Sequence, residues 1–174
     1  MNMTMAAGLD LSLTSTGLVV LDTDTTWFVS EAITSNLRGI ERARDIAIRA
    51  VQSGGSPGLW AIEGYAYGAA NMAKHMELAE LGGVVKAVLW ERGQKYIVVP
   101  PARVKKFATG KGNSQKDEMR LAVFKRWGFE AKTNDEVDAY ALARIGLAVL
   151  GYDEGLTVAQ REVVAEIRKS MKAA

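Results

Sequence analysis

Short apolar runs alternate with longer stretches of helical periodicity along this chain. Residues 6–12, 17–21 and 26–32 are three β-rich runs, with Asp22-Thr23-Asp24 as a turn between the second and third. Their close spacing predicts an antiparallel meander. Ser35 or Asn36 can cap a helix running to about residue 51, with Ile40, Ala43, Ile46, Ala47 and Ala50 on one face. Gly54-Gly55-Ser56-Pro57-Gly58 ends it. Residues 59–63 read as a short buried strand. After a polar, Gly/Ala-rich segment, the spacing predicts a long helix over 71–92, and 96–99 is the next strand. A short helix from Pro100-Pro101 through 107, a Gly- and Lys-rich loop over 109–114 and a basic amphipathic helix over 114–127 follow. Asn134 can cap another helix to 150, and 157–172 is a last charged helix.

The order β-β-β-α-β-α-β-α predicts an α/β fold: a mixed five-stranded sheet with helices on both faces. Residues 1–152 form the expected domain, and 153–174 the expected peripheral C-terminal helix. In such sheets, sites gather at strand ends and at the helix termini beside them.

Composition adds limits. The 174 residues suit one domain, and 48% hydrophobic with 24% charged residues is ordinary for a globular protein. The absence of cysteine excludes disulfides, thiolate metal sites and a cysteine nucleophile, and suits a reducing compartment. The first residues lack the basic region of a signal peptide, and no run reaches the length of a membrane helix, so no membrane partner is expected. The net charge of +2 conceals an asymmetry. Residues 1–36 carry four acids and no Lys or Arg, whereas 103–132 carry nine basic residues against three acids. Such a stretch suits either a solvated helix face or a polyanion, most simply nucleic acid.

Four acids stand where a folded domain has little structural use for them. Asp10 ends the apolar run from Ala6, and Glu63 ends Leu59-Trp60-Ala61-Ile62. A carboxylate there is costly unless something positive sits on it. Asp135 and Asp138 are three apart at a helix start, which puts them on one face where the helix dipole favours their ionised forms. Singly, first-turn acids are common, and Asp10 or Glu63 alone fits a turn or an ion pair. Together they form an all-oxygen set that selects Mg²⁺ or Mn²⁺ over zinc or copper. Two such ions ~4 Å apart activate a water and stabilise the leaving oxygen in phosphodiester hydrolysis. Glu136 reads as a surface residue.

These residues carry a family resemblance. Gly8-Leu9-Asp10-Leu11-Ser12 followed by Thr16-Gly17-Leu18-Val19-Val20 resembles the first strand pair of the RuvC family of Holliday-junction resolvases, and Ala61-Ile62-Glu63 its second acidic motif. Residues 101–106 and 110–116 resemble its basic, Gly-rich DNA-contacting segment, and Asn134 to Ala143 its final motif. The similarity spans about 6–150 in register. It implies an RNase H-like fold, a homodimer, two Mg²⁺ ions per site with Mn²⁺ substituting, and no nucleotide cofactor. It implies paired symmetric nicks across a four-way DNA junction, leaving 5′-phosphates, in a bacterial or phage-infected cytoplasm. By motif position Asp10, Glu63, Asp135 and Asp138 would be the metal-binding catalytic set, with Lys116 as a basic catalytic position and Lys105 or Lys106 as another. Arg103, Lys105, Lys106, Lys111 and Lys116 would contact DNA.

The chain departs from the family in two places. Leu11-Ser12 stands where Pro-Gly is usual, and Ala66 stands where an aromatic wedge is usual, flanked by Tyr65 and Tyr67. Either tyrosine could stack on a base, or could pack at a loop or dimer surface. The alternatives are a broader branched or flap nuclease, a non-catalytic branched-DNA-binding module, and an actin-like ATPase, for which one domain is too few.

The other candidates read as structural. Gly110-Lys111-Gly112-Asn113-Ser114 lacks the spacing of a phosphate-binding P-loop and suits a mobile basic loop near DNA phosphates. His75, the single histidine, reads as exposed or at an interface. The Met72, Met76, Leu81, Val84 and Val85 face reads as core or dimer interface, and Trp27, Trp60, Trp90 and Trp127 as packing residues.

Overall fold

The computed structural model describes residues 4–24, 27–65 and 72–173. Five strands form one sheet: β1 (Met5–Asp10), β2 (Thr16–Asp22), β3 (Trp27–Ile33), β4 (Leu59–Glu63) and β5 (Tyr96–Val99). Their order is β3-β2-β1-β4-β5. The β1–β2 and β2–β3 pairs are antiparallel, and β1–β4 and β4–β5 are parallel. The expected meander and mixed sheet are both present. The helices are α1 (Gly39–Gly54), α2 (Met72–Glu91), α3 (Pro101–Thr109), α4 (Lys116–Trp127), α5 (Asn134–Val149) and α6 (Val158–Ala173).

Alternation along the strands sorts the helices into two layers. Ala7, Leu9, Leu18, Val20, Trp60 and Ile62 face one side, where they pack with α1 and α2. Ala6, Val19, Leu21, Leu59 and Ala61 face the other, under α3, α4, α5 and α6. Asp10 continues the Ala6–Gly8 parity, and Glu63 the Leu59–Ala61 parity. Both acids therefore face the α5 side at the carboxyl edge of the sheet.

Close approach sets the height of α5. A Cβ on Gly8 would be driven into the Ala139 carbonyl, and one on Gly17 into the Asp135 carbonyl. One on Gly146 would stand 2.9 Å from the Ala6 methyl. Glycine at these points lets the α5 backbone lie directly on β1 and β2. Fully buried Tyr140, Leu142 and Ile145 then hold it there, each contributing roughly 1.5–3 kcal/mol.

The helix ends differ from the sequence expectation in instructive ways. Thr133, not Asn134, caps α5, and Glu136 is buried rather than on the surface, at 2% exposure. Its carboxylate accepts from the Lys132 and Thr133 amides at 2.7 and 3.4 Å, while the Thr133 hydroxyl accepts from the Glu136 amide. Glu136 thus fixes the helix start on which Asp135 and Asp138 depend. Arg38, rather than Ser35 or Asn36, precedes α1.

Trp60 is buried, and Trp127 stacks with Phe107 while Arg144 lies 5.2 Å from its ring. Trp90 is instead 77% exposed, so it packs nothing within the chain's core. The side chains of Trp27 and Met72 lie outside the described part. Helix α6 buries Val163, Val164 and Ile167 in the α3–α5 core. No helix among the described residues is long and apolar enough to cross a membrane.

Candidate active site

The strand ends, the α5 start and the first turns of α3 and α4 surround a cleft of about 360 Å³. Asp10, Glu63, Asp135 and Asp138 all line it, so the fold brings the four acids together. Asp10 follows directly on the Leu9–Ile62 pair of the parallel β1–β4 ladder, so Asp10 and Glu63 end neighbouring strands side by side. Asp135 and Asp138 descend from α5, whose height Gly8 and Gly17 determine.

The electrostatics match this crowding. Burial, then the charges of Glu63 and Asp138, hold the Asp10 carboxyl well above its ordinary range. Burial also raises Glu63, against the opposing pull of Asp10 and Lys105. Asp138 is pushed up to about 7 by burial, then by Glu63 and Asp135, with Lys105 and Lys116 acting in the opposite sense. The chain's own cations therefore offset the carboxylate charge only in part.

A divalent cation fits this donor set: hard oxygens, mutually repelling, at a helix N-terminus where extra positive charge relieves the repulsion. The four acids share the cleft without closing into a cage. Among the described residues, no three His, Asp or Glu side chains are grouped tightly enough to hold an ion as they stand.

The basic candidates separate into three settings. Lys105 and Lys116 line the acid cleft. Lys106 pairs with Glu162 at 2.8 Å and Arg103 with Glu166 at 2.6 Å, both on α6. Between the two lysines of α3, it is Lys105 that reaches the acids. Lys111 lines a separate groove with Lys125 and Arg126. Its loop is stapled: the Thr109 hydroxyl donates to the Lys105 carbonyl at 2.8 Å, and the Thr109 and Ser114 hydroxyls lie 2.6 Å apart.

Tyr65 lines the cleft with its hydroxyl 3.5 Å from the Ala79 carbonyl, in the space that a side chain at Gly82 would occupy. Tyr67 lies outside the described residues. Two positions escaped sequence reasoning. Arg120 bridges α4 to the α5 start through the Ala131 carbonyl and the Asn134 side chain, at 3.1 and 3.3 Å. His75, expected to be exposed or at an interface, is half-buried and lines the acid cleft.

A mixed sheet in this order, with carboxylates on the first strand, the fourth strand and the last sheet-packed helix, defines an RNase H-like protein with an acidic, cation-suited site. Residues 7–145 match the family model of the crossover junction endodeoxyribonuclease RuvC, and the chain belongs to that family. The fold is similar to the Thermus thermophilus RuvC structure, with a TM-score of 0.62 and 23% identity over 80% of this chain and 91% of that one. It is also similar to T. thermophilus RuvC solved in complex with a Holliday junction substrate, with a TM-score of 0.67 and 19% identity over 98% of each chain. The fowlpox virus Holliday junction resolvase matches with a TM-score of 0.54 and 13% identity over 84% of this chain and 99% of that one.

Proposed function

We propose that this chain is a structure-selective DNA endonuclease that resolves four-way junctions by paired symmetric nicks, leaving 5′-phosphates. The observation that carries this reading is the meeting of Asp10, Glu63, Asp135 and Asp138 in one cleft, with Lys105 and Lys116 on its wall. Family membership supplies the reaction class.

The four carboxylates would hold two Mg²⁺ ions, with Mn²⁺ substituting, which supply a deprotonated water and charge neutralisation at the leaving 3′ oxygen. The protein's own groups do the rest. Asp10 and Glu63 form the floor, fixed by the β1–β4 register. Asp135 and Asp138 close the side from a helix start that the Thr133–Glu136 box keeps in place. Lys116 stabilises charge building on the phosphate, and Lys105 offsets the carboxylates between turnovers. The exposed α4 cations and Lys111 contact the backbone, so binding weakens steeply with salt.

Paired nicks require two copies. Helix α2 supports a dimer, because its outer face presents Met76 at 67% and Trp90 at 77% exposure with Gly83 and Ala87 between them. The 76–83–87–90 spacing puts these residues on one face that would suit a helix–helix seam, with small residues where two backbones can approach. A binding module without catalysis gains nothing from four acids facing phosphates.

The test is purified protein with a labelled four-way junction, a flap and a linear duplex, with and without Mg²⁺. Metal-dependent nicking of the junction is expected. Binding without nicking would favour the module, and equal cutting of the flap would favour a broader branched-DNA nuclease.

A further inference from the structure

The inner stripe of α2 is apolar from Leu78 through Leu81, Val85 and Leu89, which join the core that α1 and one face of the sheet share. Position 75 continues that stripe by one turn toward the helix start, at the cleft lined by the strand-end residues Asp10 and Glu63. The periodicity calls for another apolar residue there, and the chain places its only histidine. The imidazole is half-buried and lines the acid cleft together with Tyr65 and Leu78. Among the described residues it has no hydrogen bond or ion pair. Its neighbours Lys74, Met76 and Glu77 are exposed.

The position in the layers matters. Lys105 and Lys116 reach the cleft from α3 and α4, over the α5 face of the sheet. His75 reaches it from α2, which covers the opposite face. A strand laid over the carboxylates would meet cations on one side and, from the described part of α2, a lone N–H donor on the other. An imidazole carries at least one ring N–H whatever its protonation state, so this donor does not depend on charge.

We propose that His75 is a substrate-contacting residue: its ring N–H donates to a phosphate oxygen of the strand being cut and holds that strand against the carboxylates from the side opposite the lysines. This rests on the nuclease reading and extends it, because it assigns the α2 wall a role in positioning the scissile strand. Single-turnover cleavage and junction affinity, the latter measured in Ca²⁺, are compared for wild type, His75→Leu and His75→Gln. Leucine suits the apolar stripe and removes only the donor, and glutamine keeps an N–H at similar reach.

His75→Leu should cut about 10- to 100-fold more slowly, the worth of a hydrogen bond to a charged group. His75→Gln should recover most of that loss. Junction affinity should stay within about threefold in both, because the basic segment supplies binding, and thermal midpoints should match wild type. Wild-type cutting rates in His75→Leu, or equal losses in both variants, would overturn the proposal while leaving the nuclease reading intact. A wild-type protein that cuts no branched DNA would overturn both.

Discussion

Asp10 and Glu63 end two adjacent parallel strands side by side in one cleft, where burial and the neighbouring Glu63 charge hold the Asp10 carboxyl well above its ordinary range. Two ionised carboxylates at that buried place repel each other, so ionising both costs the folded chain stability. Asp10→Asn should therefore separate stability from activity. Removing one charge from the cleft should raise the thermal midpoint measured at pH 8 in chelator. The same change should lower metal-dependent cleavage by at least about a hundredfold. Calorimetry and a cleavage time course check the two halves.

The pH dependence of stability follows from the raised carboxyls. A group whose folded pKa is raised keeps its proton in the folded chain after the unfolded chain has lost it, so stability falls as pH rises between the two values. For Asp138 the window runs from its ordinary 3.8 to about 7, and Asp10 and Glu63 act in the same direction. In chelator, the thermal midpoint should be lower at pH 8 than at pH 5.5. Added Mg²⁺ should narrow that difference, since bound cation stabilises the ionised form. A midpoint that rises from pH 5.5 to 8 in chelator would show that the carboxyls are not crowded.

Gly8→Ala should be costly far beyond its one methyl. The added carbon meets backbone of α5, at the Ala139 carbonyl, which cannot swing aside as a side chain can. A loss of about 3 kcal/mol is expected, along with most of the cleavage activity, because Asp135 and Asp138 ride on the displaced helix. Denaturant titration measures the first, and the residual rate of the folded fraction measures the second.

Arg103 and Lys106 were expected to face DNA, and each is paired with a glutamate of α6. Glu162→Gln with Glu166→Gln should release both cations. Exposed pairs contribute little to stability, so the midpoint should barely move. Junction affinity at low salt should rise, with a steeper salt dependence as the freed cations reach phosphates. Unchanged affinity and salt slope would assign the two residues to anchoring α6.

Much of this was legible in the chain because it rests on local pattern. The strand meander, the buried 59–63 strand and the acids at strand ends follow from apolar runs and where they stop. The Thr133-x-x-Glu136 capping box is also written in the sequence, but Asn134 is an equally good cap by residue type, and only the folded helix start shows that Thr133 takes the role and Glu136 turns inward. His75 escaped for a different reason. Its stripe could be counted, but whether the sheet still lies beneath the first turn of α2 depends on tertiary placement. The α6 ion pairs join residues about sixty positions apart, and no local spacing announces them. Trp90 shows the converse: a large apolar residue at helical spacing that nothing within the described chain covers.

The most direct test is to map the products of an end-labelled four-way junction cut by the wild-type protein and by Asp10→Asn in Mg²⁺. The account predicts wild-type nicks at symmetric positions on two opposed strands, ligatable through their 5′-phosphates, and an Asp10→Asn protein that binds the junction but leaves it whole. Cutting that persists in Asp10→Asn, or that proceeds undiminished in chelator, would contradict it.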